Sequence, residues 1–329
     1  MELAGLPACS APLPWQQPAW ERLGRQREEG RLPHALLLAG AAHIGKERLA
    51  LALSRLLLCH QPTGGINCGK CHACELSAAG THGDFRWVAP QEKSRVIKVD
   101  QVRQAIDFAS RTAGQGAAKV VVISPAEAMN TNAANALLKC LEEPAADTFL
   151  LLVSARVQRI PATVRSRCQM QRLVTPSAEQ SLAWLDQVTG ERGESERWLD
   201  FAGGLPLLAE SLYGSADAEK QVASRIACRA LLAGQVGVGE AINMLEDVDL
   251  EQVLEQVADT VRRELRGAAA GQLQGEPARR LFALLDEIGG LQRAVAAGAN
   301  PNRQLLCEVV LEKLHFLLGG PRAGGSILR

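Results

Sequence analysis

The chain has 329 residues, room for two or three domains, and its 36 basic and 36 acidic residues cancel. A neutral balance removes any bulk electrostatic pull toward nucleic acid or an anionic membrane, so work on DNA would have to run through partners. Apolar residues make up 47% and charged residues 22%, no apolar run nears the roughly 20 residues that span a bilayer, and no leader pattern opens the chain; the expectation is a globular cytoplasmic protein.

In chain order, Leu36-Leu37-Leu38-Ala39 reads as a buried strand running into Gly40-Ala41-Ala42-His43-Ile44-Gly45-Lys46, a phosphate-loop pattern. Residues 46–58 read as a helix with Leu49, Leu53, Leu56 and Leu57 along one side. A cysteine segment follows, with Gly64, Gly65 and Gly69 as turn residues. Val99–Arg103 reads as a strand end passing into a helix capped by Asp100. Lys119–Ile123 and 148–154 read as buried strands, with a helix over 131–143 between them that Pro144 closes. All-apolar strands alternating with helices predict a parallel sheet covered on both faces. Strand signals stop near residue 173. A small helical unit to residue 212, a linker over Tyr213–Ala216 and an all-helical remainder are expected, with breaks at Gly234, Gly271, Gly275, Gly289 and Gly290. Asn300-Pro301 is expected to start the last helix, Asn as cap and Pro at the first helical position. Aromatics are only 4%, so Leu, Val, Ile and Ala must build the core.

In a phosphate loop, glycines let backbone N–H groups wrap the phosphates and the lysine reaches the β and γ oxygens. Gly40, Gly45 and Lys46 are present, but the next position, where a hydroxyl should hold magnesium, is Glu47. The strand at 119–123 should end in an acid and ends in Ser124-Pro125, with no acid before Glu127. The expectation is a degenerate loop that does not hydrolyse ATP, with ATP binding itself left open.

Nine cysteines include the cluster Cys59-x8-Cys68-x2-Cys71-x2-Cys74. Two CxxC steps sharing Cys71, with Cys59 as fourth ligand, fit a closed tetrahedral zinc site, and Gly69 supplies the turn inside the first pair. His60 and His72 are possible rival ligands. A nucleic-acid-binding zinc ribbon is disfavoured, because residues 59–82 hold one Lys, no Arg and no Phe, Tyr or Trp. A structural zinc staple is the expectation, and the other five cysteines read as ordinary thiols.

Asn132–Pro144 with its Leu141-Glu142-Glu143-Pro144 end, then the strand at 148–153, then Ser166-Arg167-Cys168, resembles the clamp-loader branch of the AAA+ family. The four cysteines after the phosphate loop match the zinc module of the bacterial branch. Thr81-His82-Gly83-Asp84 resembles its Thr-His-Pro-Asp segment, with Gly83 departing from Pro, and Asn300–Leu306 resembles a signature near the C-terminus of one subunit. The resemblance covers residues 20–320. It implies an α/β AAA+ domain over 1–173 with the zinc module at 59–74, a small helical lid over 174–212 and an all-helical collar over 217–329. It further implies a non-hydrolysing stator in a five-subunit ring that loads the sliding clamp on primed DNA, with clamp-loader ATPase subunits, a delta subunit and the clamp as partners. Arg167, after Ser166, would then be an arginine finger for the ATP site of the next subunit, with Arg165 as the nearby competitor; a guanidinium is permanently charged and grips phosphate oxygens through two donors. Where ATPase subunits carry a phosphate-sensing arginine this chain has Pro206, and Ser154 stands at the first sensor position.

Two other readings are weighed against this one. A catalytic ATPase subunit of the same loader is opposed at Glu47, at Ser124-Pro125 and at Pro206. A stand-alone zinc-containing P-loop enzyme, such as a nucleotide kinase, would need a magnesium site and a substrate pocket, and the sequence offers a motif for neither.

Overall fold

A computed structural model describes residues 8–91, 94–190, 192–213, 215, 218–268, 272–296 and 299–319. The chain divides into two compact units, Met1–Ser195 with Gly204–Leu208, and Glu196–Gly203 with Ala209–Arg329. In chain order the elements are α1 (Gln17–Glu28), β1 (Ala35–Ala39), α2 (Lys46–Leu58), α3 (His72–Ala78), β2 (Phe85–Val88), α4 (Val99–Ala109), β3 (Lys119–Ile123), α5 (Thr131–Glu142), β4 (Thr148–Ser154), α6 (Ala162–Arg165), β5 (Gln169–Arg172) and α7 (Ala178–Thr189). They continue as α8 (Arg192–Phe201), α9 (Pro206–Leu212), α10 (Ala218–Leu232), α11 (Val238–Asn243), α12 (Leu250–Gly267), α13 (Glu276–Ala296) and α14 (Arg303–Leu318).

The first unit is built on a five-stranded sheet in the order β2-β3-β4-β1-β5, every pairing parallel. β1 and β3 are buried along their whole length, as the apolar runs predict. The two-residue side-chain period of a strand splits them between two cores. Leu36 and Leu38 join Val120 and Val122 against Trp20 and Leu23 of α1 and Leu49, Leu53 and Leu56 of α2. Leu37 joins Val121 and Leu152 against Val102 and Ala105 of α4 and Leu137 and Leu141 of α5.

The two edge strands escape the sequence pattern. β2 carries Arg86 and β5 carries Gln169, Gln171 and Arg172, polar residues suited to a sheet edge, so neither forms an apolar run.

The second unit is helical. Val253, Val257 and Val261 recur every fourth residue along α12 and pack with Leu231 of α10, Leu281, Leu284 and Ile288 of α13 and Val310, Leu311 and Leu314 of α14. Among the described residues no helix is long and apolar enough to cross a membrane.

Three local expectations are corrected. α4 is capped by Lys98, not Asp100: the Gln101 side chain accepts the Lys98 N–H at 3.0 Å, so a carboxylate cap is unnecessary and Asp100 falls in the first turn. α14 starts at Arg303 with Asn302 as its cap, because the Asn302 oxygen reaches the Leu305 N–H at 3.1 Å. Gly289 and Gly290 lie inside α13, where the packed face formed by Leu281, Leu284 and Ile288 outweighs the roughly 1 kcal/mol helix penalty of each glycine. Gly214 and Ala216 of the expected linker, and Gly271, lie outside the described residues.

Candidate functional site

β1 delivers the chain to Gly40 at the carboxyl edge of the parallel sheet, the edge where such sheets bind ligands. Gly45 then takes a φ of 86°, and a Cβ there would lie 2.3 Å from Leu13 Cδ1. Lys46 opens α2, is only 2% exposed, and donates from Nζ to the Ala41 carbonyl at 2.6 Å. Burial lowers its pKa, against the opposing pull of the Glu47 and Glu127 carboxylates. Glu47 accepts a hydrogen bond from Ser124 Oγ, just past β3, at 3.4 Å. Glu127, the first acid after β3, accepts the Ala155 and Arg156 N–H groups at 3.0 and 3.1 Å. Ser154, fully buried, accepts the Arg156 N–H at 3.1 Å. Pro206 is the first residue of α9, where its missing N–H costs nothing, and the Leu207 N–H bonds the His43 carbonyl of the loop at 3.2 Å. Gly45 thus makes a left-handed turn into α2 with Lys46 folded back on the loop, while Glu47 and Ser124, the two positions expected to hold magnesium, are in contact with each other.

The four cysteine sulfurs come together. Cys59 ends α2, Cys71 caps α3 and Cys74 lies in its first turn, and all four Sγ atoms are within 4.8 Å of one another. Cys59–Cys71 and Cys68–Cys74 are each 3.9 Å apart. A tetrahedral ion with Zn–S bonds near 2.3 Å needs sulfur–sulfur edges of about 3.8 Å, so the donor set fits zinc. Outer N–H···S contacts support it, from Asn67 Nδ2 to Cys74 and from the Cys68 N–H to Cys59, each 3.3 Å. Burial pushes the Cys59 thiol up to about 12, whereas the Lys70 N–H, donating to its sulfur, draws Cys68 down to about 6. A divalent cation at this site would favour the thiolate form of all four. His60 and His72 stay outside the cluster: His60 pairs with the Gln115 carbonyl at 3.0 Å and His72 with Glu75 at 3.9 Å.

Asp84 of the Thr-His-Gly-Asp segment is buried and accepts from Lys119 Nζ at 3.0 Å and from the N–H groups of Gly114, Gln115 and Gly116 at 3.0, 2.6 and 2.8 Å. Burial opposes its ionisation, but these donors outweigh it and hold the pKa at about 2. Asp84 thus fastens the loop before β3.

Ser166 and Arg167 follow the short helix α6. Ser166 Oγ donates to the Thr163 carbonyl at 3.1 Å. Arg167 is exposed; its NH1 bonds the same carbonyl at 2.9 Å, its Nε bonds Glu142 at the end of α5 at 2.7 Å, and its NH2 also pairs with Glu142. The guanidinium is held at the surface by two elements. Arg165 is half-buried, with its Nε lacking a hydrogen-bond partner.

Residues 15–177 match the family model described as DNA polymerase III, delta subunit. The chain is 37% identical to DNA polymerase III subunit delta' of Pseudomonas aeruginosa, over 93% of this chain and 98% of that protein. It is 32% identical to subunit delta' of Escherichia coli K12, over 93% and 96%. This chain belongs to the DNA polymerase III delta' family.

Beyond the delta' family, the DNA polymerase III gamma subunit-related protein of Thermotoga maritima shares the fold, with a TM-score of 0.54 at 19% identity over 90% of this chain and 98% of that one. Within the delta' chain the fold gathers Lys46, Glu47 and Ser124 at one edge of the sheet and the four cysteines beyond α2. Arg167 has other partners, Glu142, Thr163 and Ser166. Sequence reasoning missed Trp15 and Gln16, which donate to the Ile44 carbonyl at 3.0 and 3.1 Å, with Gln16 also reaching Gly45 at 2.8 Å. It missed Asn67 as well. The only local signal was Pro14 and Pro18 bracketing a turn; the contacts span 28 residues and more.

Proposed function

We propose that this chain is the stator of a bacterial clamp loader: it hydrolyses no ATP itself and lends Arg167, set by Ser166, to the ATP site of a neighbouring ATPase subunit while the sliding clamp is loaded on primed DNA in replication. The observation that carries the reading is the contact between Glu47 and Ser124, which puts a carboxylate and a hydroxyl where a working site needs the reverse. Gly40, Gly45 and Lys46 keep the loop's shape without its chemistry. Relatives named as delta' subunits over nearly their whole length support the same assignment.

The chain's own residues divide the work. Arg167 presents a planar two-donor fork that would stabilise charge developing on a transferred phosphoryl group. Glu142 keeps that fork pointed and neutralised until a phosphate competes for it. Cys59, Cys68, Cys71 and Cys74 would hold one structural Zn²⁺, which supplies a fixed charge and a covalent-strength brace and takes no part in phosphoryl transfer. The lid is assigned to residues 174–212 and the collar to 217–329, where α10–α14 would join neighbouring subunits, the gamma/tau-type ATPases and delta. DNA and clamp are met through the assembled ring, in keeping with the neutral charge.

The test is the complex assembled with its ATPase subunits, clamp and primed DNA. Arg167→Ala should fold and assemble, since a surface ion pair contributes about 0–1 kcal/mol. A trans arginine is worth about 10³–10⁵ in rate at one site; with several sites in a ring, clamp-stimulated ATP turnover should fall partially and clamp loading further. Arg167→Lys should rescue little, because an ammonium lacks the fork. Wild-type turnover and loading in the Arg167→Ala complex would transfer the role to Arg165 or end it.

A further inference from the structure

The N-terminal segment bridges the two sites described above. One end is tied to the cysteine module through Asn67, the neighbour of Cys68. Asn67 Nδ2 donates to the Ala8 carbonyl at 2.8 Å and to Cys74 Sγ at 3.3 Å, and Asn67 Oδ1 accepts the Ser10 N–H at 2.9 Å. Cys9 Sγ sits 3.5 Å from the Asn67 carbonyl, and Gly69, whose φ of 72° favours glycine, leaves room for that sulfur, 2.4 Å from where a Cβ would stand. Buried Arg55, on α2, adds a bond to Ser10 Oγ at 2.7 Å while gripping Ser77 Oγ of α3 at 3.2 Å. Trp20 Nε1 reaches the Gly65 carbonyl at 3.2 Å.

The other end holds the phosphate loop. Trp15 and Gln16 donate to the Ile44 carbonyl, Gln16 adds a second donor to the Gly45 carbonyl that also accepts the Leu49 N–H, Gln16 Oε1 accepts the Leu13 N–H at 3.0 Å, and Leu13 packs where a Cβ at Gly45 would be. Lys46 is turned onto its own loop at Ala41. In a working nucleotide site, bound phosphate orders such a loop. Here Trp15 and Gln16 meet the loop, and Ala8 and Ser10 of the same segment bond Asn67.

We infer that residues 8–16 are a strap through which the metal-bound cysteine module keeps the phosphate loop ordered in place of a nucleotide. The inference rests on the readings of the cysteines as a zinc site and of the loop as silent. A metal that binds only the folded knuckle stabilises whatever the knuckle holds. Zinc loss therefore loosens not only residues 59–74 but also Ile44 and Gly45, a segment that contributes no ligand.

Hydrogen exchange read by mass spectrometry on the full chain, without nucleotide, tests this. The samples are wild-type protein, protein stripped by a chelator, Asn67→Ala and Gln16→Ala, with zinc content measured on each. Asn67→Ala removes the clasp but no ligand. It should keep one zinc per chain, while segments 8–17 and 41–47 exchange about 10-fold faster, the loss expected for two or three hydrogen bonds. β3 and β4 should keep their protection. The stripped protein should show the same two segments loosened. Gln16→Ala should loosen 41–47 and leave zinc and residues 8–10 unchanged. If the stripped protein unfolds throughout, the two variants still decide the matter. Fast exchange confined to 8–10 in Asn67→Ala, with 13–17 and 41–47 at wild-type rates, would overturn the strap and leave the silent-site reading standing. ATP turnover by the isolated chain that vanishes in Lys46→Ala would overturn the silent-site reading, and the exchange data would still report the strap.

Discussion

Asp84 and Lys119 form an ion pair whose side chains are both about 95% shielded, and its value shows in the surrounding donors more than in the pair itself. Three backbone N–H groups and an ammonium converge on one carboxylate, and Lys119 Nζ also lies 4.4 Å above the Phe108 ring. The folded pKa, about 2, is below the unfolded value near 3.8. Such a group contributes stability that is fully present above pH about 4 and is lost as pH falls through about 2, to the extent of about 2 kcal/mol. Asp84→Asn should flatten that part of the acid denaturation curve. At neutral pH it should cost about 3–5 kcal/mol, because it strands a buried ammonium. Urea midpoints at pH 7, 4 and 2.5 measure both, and an unchanged acid slope would remove Asp84 from this role. Arg167 and Glu142 are the contrast: an exposed pair, cheap to break, which is what the proposed exchange of Glu142 for a phosphate requires.

At the junction of β1, the phosphate loop and α2, backbone conformation and packing can be separated by mutation. Gly45 stands at the N-cap of α2 in the left-handed region, and the strap's Leu13 fills the space beside it. Gly45→Ala carries two costs, about 1–3 kcal/mol for the backbone and a further part for the clash with Leu13. In a Leu13→Ala background the second part should vanish and the first remain, so the double-mutant cycle should give a coupling of about 1 kcal/mol or more. Equal costs in both backgrounds, by chemical denaturation, would show that Leu13 yields freely. Helix α5 is a comparable bar with a fixed terminus at each end. Asn130 caps it through the Ala133 N–H at 2.8 Å, and Glu142 at the far end meets Arg167, so the helix ties the end of β3 to the start of β5.

The helical unit carries its own apolar core and, among the described residues, leaves one face of α14 exposed. Leu305, Val309 and Phe316 lie on that face at 60%, 38% and 78% exposure, and Phe282 of α13 is 46% exposed. Beside Phe316 a groove of about 570 Å³ runs between α13 and α14 over Leu284 and Leu317, bordered by the Lys313–Glu287 pair. Large exposed apolar side chains grouped in this way are the usual mark of a protein contact. A chain ending at Leu212 should therefore lose its place in a complex with the ATPase subunits, and Phe316→Asp in the full chain should weaken assembly about 10-fold or more while leaving the fold intact. Size-exclusion chromatography of the mixed subunits measures both; stable entry of the shortened chain would overturn the collar assignment.

The amino-acid order carried the central strands, because a strand buried on both faces is apolar along nearly all of its length, and these runs are short and rich in Val, Ile and Leu. It carried the turn from Gly40 to Lys46 between β1 and α2, where each residue is a sequence neighbour of the next. It carried the cysteine set, whose spacing is itself the geometry of a knuckle. The edge strands were hidden, since half their surface faces solvent and the alternation is blurred by Arg86, Gln169 and Gln171. Also hidden were the roles of Asp84, Asn67, Trp15 and Gln16. Each acts on a group some 30 to 60 residues away, and which polar side chain meets which distant backbone atom is set only when the sheet and helices close around them. The partner of Arg167 belongs to the same class: the motif marked the residue, but only the packing of α5 beside α6 put Glu142 within its reach.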